Sequence, residues 1–103
     1  MKIIYVDIDE TICNREKSID FGVTHDYSKA QPIKKNIKKI NKLYDEGNTI
    51  VYWTSRGSRK QLDWRELTEK QLKEWGAKYH ELNLDKPFYD LFVEDKSCRI
   101  EEL

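Results

Sequence analysis

Residues that break or stiffen the backbone are scarce in this chain. Its 103 residues include four glycines and two prolines, and neither an internal repeat nor a low-complexity segment is present. No stretch of about 18 apolar residues occurs, so a membrane span is not expected. The N-terminus lacks the charged, apolar and small-residue regions of a secretion signal, and we therefore expect a cytoplasmic protein with no membrane partner. A chain of this length predicts a single domain, residues 1–103.

The chain also has few cysteines and no formal net charge. The two cysteines, Cys13 and Cys98, lie far apart and match no metal-ligand spacing, so we interpret both as reduced thiols. A chemical role for Cys13 would need a base or a cationic environment beside it. Lys plus Arg and Asp plus Glu number 19 each, which gives a formal net charge of zero. This balance argues against broad electrostatic capture of nucleic acid.

Short apolar segments alternate with amphipathic ones along the chain. Four segments have the apolar and β-branched composition of buried strands: residues 2–6, 49–53, 77–82 and 91–93. Pro32 suits the first turn of a helix, which the spacing of apolar residues extends to Gly47. A second helix is predicted over residues 59–75 and ends before Gly76. Strands that alternate with helices favour a parallel sheet with right-handed crossovers.

Two aspartates follow the first predicted strand directly. Residues 7–11 have the sequence Asp-Ile-Asp-Glu-Thr. Carboxylates this close together repel each other unless a cation or a shared proton offsets the charge. Mg²⁺ prefers oxygen ligands and binds through a few carboxylates together with phosphate oxygens. The alternative is an acidic turn without chemistry, because aspartate favours strand ends.

Polar side chains also follow the other predicted strands. They are Thr54 and Arg56 after the second strand, Lys86 in the loop before the fourth, and Glu94 with Asp95 after it. In an open parallel sheet, ligands bind outside the carboxyl ends of the strands, near the point where the strand order reverses. We therefore expect these groups and the two aspartates to converge on one small volume.

These strand-end residues resemble the motifs of the haloacid dehalogenase superfamily of phosphohydrolases. Residues 7–11 are similar to its first motif, Thr54 to the second, Lys86-Pro87 to the third and Glu94-Asp95 to the acidic fourth. The motifs occur in order and span nearly the whole chain. Residues 86–97 also look like small capless members of the superfamily, phosphatases of capsular or surface polysaccharide biosynthesis.

The chain departs from the superfamily pattern at two points. Glu10 stands where glycine is frequent, which resembles a branch that acts on phosphoserine in polymerase tails, but the Asn-Ser-Pro of that branch's fourth motif is absent. Lys86 lies unusually close to the acidic motif, with no room for a helix between them. Lys78 is therefore an alternative candidate for the third-motif lysine.

The resemblance implies a two-step mechanism through an aspartyl-phosphate. Asp7 would attack phosphorus as the nucleophile. Asp9 would protonate the leaving oxygen and then activate the water that hydrolyses the intermediate. Thr54 would hydrogen-bond a phosphoryl oxygen, and Lys86 would neutralise the phosphoryl group and orient Asp7.

A Mg²⁺ cofactor and substrate contacts follow from the same resemblance. The metal would screen the repulsion between nucleophile and phosphate, and it would be held by the Asp7 carboxylate, the Asp9 carbonyl, Asp95 and, in support, Glu94. Arg56 and Thr11 are candidates for substrate binding, although a structural ion pair is an equal alternative for Arg56. The polar segment 13–31, which contains His25, would form a flap over the site.

The implied fold is one three-layer α/β/α domain without a cap, with a parallel sheet of about four strands in the order 3-2-1-4. The implied function is Mg²⁺-dependent hydrolysis of a small phosphorylated substrate, such as a sugar phosphate. Alternatives are a phosphatase for phosphoprotein or nucleic-acid ends, a non-catalytic phosphate- or metal-binding regulatory module, and a catalytically silent homologue. A site without a cap is open to solvent, and a neighbouring copy of the chain could cover it. A homo-oligomer is therefore one arrangement that we expect.

Overall fold

The structure, a computed structural model, describes residues 1–14, 27–56, 64–87 and 89–103, and of Tyr27 only the backbone. Two short 3-10 turns, Tyr27–Lys29 and Ile100–Glu102, accompany the regular elements. The regular elements within these residues are β1 (Ile3–Val6), β2 (Cys13–Asn14), β3 (Gln31–Pro32), α1 (Lys34–Asp45), β4 (Thr49–Trp53), α2 (Arg65–Glu74) and β5 (Glu81–Asn83). Neither described helix has the length and apolar character needed to cross a membrane.

A three-stranded parallel sheet is the centre of the fold. β4 lies between β1 and β5, and both of its neighbours run parallel to it. β4 is central because it is the most continuously apolar strand: Ile50, Val51 and Tyr52 are all buried. The predicted α/β class with a parallel sheet is therefore confirmed. The third predicted strand, residues 77–82, starts later in the structure: β5 spans Glu81–Asn83, the residues that pair with β4.

A second, antiparallel pair closes the base of the polar segment between β1 and α1. Cys13 pairs with Pro32, and Asn14 pairs with Gln31. Pro32 thus belongs to β3 and not to the first turn of α1, which begins at Lys34. Of the predicted flap, residues 13–31, the structure describes residues 13–14 and 27–31. Residues 15–26, which include His25, lie outside the described part of the chain.

Both helices end where the sequence predicts. Gly47 follows α1 with φ of +97° and Gly76 follows α2 with φ of +72°, a left-handed conformation that glycine adopts without strain. Their N–H groups donate to Tyr44 and Lys73 carbonyls, which would otherwise lack partners at the helix ends. The start predicted for the second helix, residues 59–63, falls outside the described residues.

The described helices lie on one side of the sheet, which differs from the predicted three layers. Residues of α1 and α2 belong to one core cluster. Asn41 in α1 also donates to the Gly76 carbonyl at 2.9 Å, so the helix ends are neighbours. The chain moves from β1 to β4 to β5 in one direction, and right-handed crossovers then place both helices on the same face. On the other face, Ile3 and Tyr5 are largely exposed.

The predicted fourth strand is wrong in the structure. Residues 91–93 have no strand conformation and are exposed, so the described sheet has three strands and the order 3-2-1-4 is not reached. A continuous apolar run is stable as a strand where both sheet faces are covered. Ile3 and Tyr5 of β1 are exposed on the face opposite the helices, so a strand paired with β1 would leave half of this run in water.

Candidate functional site

The two aspartates lie on a tight turn at the carboxyl end of β1. Ile8, fully buried, anchors the turn, and its carbonyl accepts hydrogen bonds from the N–H groups of Thr11 and Ile12 at 3.2 and 2.9 Å. Glu10 has φ of +66°, in the left-handed region. That conformation costs about 1–2 kcal/mol for a residue with a Cβ, which explains why glycine suits this position. The turn brings Asp7 and Asp9 to the same edge of the sheet.

Lys86 and Asp7 form an ion pair at this edge. The Lys86 Nζ lies 3.5 Å from the Asp7 Oδ1, and the side chains are 13% and 38% exposed, respectively. The Lys86 N–H donates to the Thr54 carbonyl at 3.2 Å, which ties the lysine to the end of β4. The predicted convergence of these three strand-end residues is therefore present in the structure.

The surroundings of Asp7 have opposing effects on the pKa of its carboxyl group. Burial raises the pKa of Asp7 above its ordinary value, and the negative charge of Asp9 raises it further. The ammonium of Lys86 and the N–H of Ile8 oppose this increase in the pKa of Asp7. Asp7 thus combines a nearby cation with a side that solvent reaches, and a carboxylate with a shifted pKa in such a place is a candidate functional residue.

Lys78, the alternative third-motif lysine, lies elsewhere. Its Nζ pairs with the Asp45 Oδ1 at 2.9 Å, and both side chains are about half exposed. Its N–H donates to the Asn41 side chain at 2.8 Å, near the amino end of β5. Asp7 lies at the carboxyl end of the parallel sheet, so Lys78 is at the opposite edge. The structure therefore favours Lys86 for this role.

Arg56 clamps Asp9 from inside the protein. Its Nε donates to the Asp9 Oδ2 at 3.0 Å and its Nη2 to the Oδ1 at 2.9 Å. The guanidinium is fully buried and the Asp9 side chain is 14% exposed. This two-pronged geometry matches the planar guanidinium to the carboxylate and fixes its orientation.

Helix α2 supplies the remaining partners of the guanidinium. The Arg56 Nη1 donates to the Thr68 Oγ1 at 3.1 Å and to the Gln71 Oε1 at 2.6 Å. These contacts offset the cost of burying the charge. Of the two interpretations of Arg56, the structure shows the ion pair. A substrate-binding role has no support, because the guanidinium has no exposed surface.

The supporting role of α2 was not among the predictions from the sequence. Thr68 and Gln71 are buried, although both are polar. A signal was available: they share helical spacing with Trp64 and Trp75, so they lie on the inward side of the helix. Buried polar side chains on such a face need partners, and a strand-end arginine is one that the sequence offers.

The two predicted threonines differ in how the structure places them. Thr54 is buried, and its Oγ1 accepts the N–H of Arg56 at 3.2 Å, which leaves the hydroxyl proton available for a further acceptor. The Thr11 carbonyl accepts the Asn36 side chain at 2.8 Å, which joins the turn to α1. Its predicted contact with substrate stays a prediction.

The acidic fourth motif does not join the other carboxylates. Glu94 and Asp95 are exposed, and the Glu94 carboxylate accepts the N–H of Lys96 at 2.7 Å. Among the residues that the structure describes, no three His, Cys, Asp or Glu side chains come together as a metal site. Because residues 91–93 do not pair with β1, the motif after them is not carried to the sheet edge. The arrangement does not fit the predicted four-residue Mg²⁺ site.

Cys13 is buried beside the site, and the Arg56 Nη2 lies 3.9 Å from its Sγ. Its Sγ lies 3.6 Å from the Asp9 Oδ1 and donates to it. Burial, together with the charge of Asp9, raises the pKa of Cys13 to about 12, although Arg56 acts in the opposite direction. The raised pKa disfavours the thiolate, which is the reactive form of cysteine, and Cys13 forms no disulfide in the structure.

Comparisons with known proteins show the fold and leave the family open. A scan against protein-family models finds no match, and a search of curated proteins finds no significant match. Among solved structures, the chain is similar to a structural-genomics target from Vibrio cholerae, with a TM-score of 0.81 and 22% sequence identity. The alignment covers 99% of this chain and 86% of that protein. At this identity the likeness supports the α/β fold alone.

Proposed function

We propose that this protein is a phosphomonoester hydrolase of the haloacid dehalogenase type, with Asp7 as its nucleophile. The observation that carries the proposal is the pairing of the Asp7 Oδ1 with the Lys86 Nζ at 3.5 Å, at the carboxyl end of a parallel sheet. Ligands of open α/β sheets bind at this edge. A cation that already faces the carboxylate can also neutralise an incoming phosphoryl oxygen.

The first step forms the aspartyl-phosphate. A carboxylate oxygen of Asp7 attacks phosphorus, and the bond between phosphorus and the ester oxygen breaks. Asp9 enters this step protonated and passes its proton to the leaving oxygen, so that a neutral alcohol departs. The contact with Arg56 then holds the carboxylate that remains. Lys86 and the hydroxyl proton of Thr54 stabilise the charge on the transferred group.

The second step regenerates the enzyme. Water attacks phosphorus, its proton moves to Asp9, and the bond between phosphorus and Asp7 breaks to release inorganic phosphate. The clamp from Arg56 holds the Asp9 carboxylate in one orientation, which suits a group that must receive a proton at a defined point. Mg²⁺ dependence stays a prediction of the resemblance, and no step above is assigned to the metal.

Phosphate release tests the proposal. We would assay sugar phosphates, nucleotides and phosphopeptides with Mg²⁺ or with EDTA, using wild type, Asp7→Asn and Lys86→Met. Each variant is expected to lose at least about 100-fold in turnover, because nucleophile and charge stabilisation each contribute that much or more. Lys78→Met, a lysine at the opposite edge of the sheet, is the matched control and should keep full activity.

Two outcomes would contradict the proposal. Release that survives in Asp7→Asn would exclude this carboxylate as the nucleophile. Absence of release from every compound, with or without Mg²⁺, would favour the regulatory-module or silent-homologue alternatives.

A further inference from the structure

Helix α2 reaches the proposed site through the guanidinium of Arg56. The Arg56 Nη1 donates to the Gln71 Oε1 at 2.6 Å, while its Nε and Nη2 donate to the two carboxylate oxygens of Asp9 at 3.0 and 2.9 Å. The guanidinium is rigid and planar, and these two partners bind different edges of it. A shift of one partner therefore turns the plane and displaces the other. The steps proposed above assign nothing to Gln71.

Protein atoms alone set the orientation of this guanidinium. Its Nη1 also donates to the Thr68 Oγ1 at 3.1 Å, and its Nη2 lies 3.9 Å from the Cys13 Sγ. Together with the bonds to Asp9 and Gln71, these contacts use all five N–H groups of the side chain. The side chain is also fully buried, so solvent does not compete for these bonds.

The two polar residues of α2 differ in what explains their presence. The Thr68 hydroxyl donates to the Trp64 carbonyl at 2.7 Å, a bond within the helix that threonine commonly forms. Gln71 is 5% exposed, and an apolar side chain of the same size at this inward position would avoid the cost of burying an amide. The chain instead has an amide whose oxygen meets the guanidinium, and that contact is the short one of the pair.

We infer that Gln71 is a positioning residue for the Asp9 carboxyl group and acts on it through Arg56. The inference rests on the proposed function, in which Asp9 gives its proton to the leaving oxygen as the bond between phosphorus and that oxygen breaks. A proton donor acts only within hydrogen-bond reach of its acceptor, so a small displacement of the carboxyl group lowers the rate. Without the Gln71 acceptor, the guanidinium loses an anchor on α2 and Asp9 loses its fixed position.

Leaving groups of different basicity separate this role from a structural one. The alkoxide of benzyl phosphate is a strong base and needs a proton to depart, whereas the anion released from 4-nitrophenyl phosphate is a weak base and does not. We would measure kcat/KM for both substrates with wild type and Gln71→Met, since methionine has nearly the size of glutamine but no amide. Benzyl phosphate should lose about 10-fold and 4-nitrophenyl phosphate less than about 2-fold. The ratio of the two rates does not depend on the fraction of the variant that is folded.

Glu74→Met is the matched control, because it places the same side chain at an exposed position about one turn further along α2. It should keep both rates. Equal losses for the two substrates in Gln71→Met would mean that Gln71 supports the fold or Asp7, and they would overturn the inference. Unchanged rates for both substrates would overturn it as well. Absence of hydrolysis of both compounds by wild type would instead contradict the proposed function.

Discussion

At the residue scale, the site is defined by two carboxylates that are treated differently. Asp7 pairs with Lys86 and keeps an exposed side, whereas Asp9 is held by both prongs of a buried guanidinium. One carboxylate is therefore accessible, and the orientation of the other is fixed. The two residues have the same side chain, so the difference between them arises from the neighbours that the fold places around each one.

Asp7→Asn should stabilise the protein at neutral pH while abolishing turnover. Burial raises the pKa of Asp7, so its ionised form opposes folding. The sign follows from linkage: this contribution favours folding below the ordinary value of 3.8 and is lost as pH rises through the raised pKa. We expect the melting temperature to rise at pH 7 by no more than about 4 °C, because solvent screens a side chain that is 38% exposed, and the difference from wild type to shrink toward pH 4.

Thermal unfolding at both pH values measures this effect. Asp45→Asn is the control, because that carboxylate is exposed and should shift stability by no more than about 0.5 kcal/mol. A variant that melts lower than wild type at pH 7 would show that the ion pair with Lys86 outweighs the cost of burial.

At the element scale, the clamp on Asp9 joins the β1 turn to α2. The Arg56 guanidinium donates to Asp9 on one side and to Thr68 and Gln71 on the other. The contact crosses from the end of β4 to a helix that begins later in the chain. A buried charge of this kind is strongly coupled to its partners.

Arg56→Lys should weaken this junction markedly. Lysine keeps the charge but cannot form the two-pronged bond or reach both helix acceptors. We expect the free energy of unfolding to fall by about 2–3 kcal/mol, less than the roughly 3–5 kcal/mol for removal of one partner of a buried ion pair, because lysine keeps the positive charge. Urea denaturation measures the change. Arg99→Lys, which alters an exposed arginine, should stay within about 0.5 kcal/mol of wild type.

The junction also predicts a functional effect of Arg56→Lys. Because Asp9 loses its fixed orientation, turnover should fall even at temperatures where the variant is fully folded. If Arg56→Lys had the stability and the turnover of wild type, the role given to the contact between Arg56 and Asp9 would be wrong.

At the scale of the whole molecule, β1 has exposed apolar side chains on the sheet face opposite the described helices, although Val51 of β4 on the same face is buried. Both described helices lie on the other side, and Met1, Ile3 and Tyr5 are exposed. Exposed apolar groups that lie together on a sheet face are typical of surfaces that bind another molecule. The sequence-derived expectation of a homo-oligomer is therefore open to a direct test.

Light scattering after size exclusion should give a mass of at least twice the 12.4 kDa of the chain at high concentration. Ile3→Lys places a charge on this face of β1 and should shift the protein toward the monomer. Leu103→Lys, an exposed apolar residue in the C-terminal segment, is the control and should leave the mass unchanged. A monomeric mass of wild type at every concentration would contradict the expectation.

Local patterns in the sequence were sufficient for much of the fold. β4 has the predicted bounds, β1 begins one residue later, and Gly47 and Gly76 end the helices as predicted. These features depend on composition, periodicity and backbone freedom within a few residues, so they are visible in one dimension. The wrong fourth strand shows the limit: residues 91–93 have strand composition, but a strand also needs a covered partner.

The sequence by itself determined the two aspartates after a buried strand, the lysine at residue 86 and the alternation that brings strand ends to one edge. Only the tertiary structure decided which lysine faces Asp7, that Arg56 binds Asp9 and not a ligand, and that Glu94 and Asp95 stay apart from both. The physical reason is that composition constrains the conformation of each segment. Charge pairing and burial, in contrast, depend on distances between segments remote in the chain.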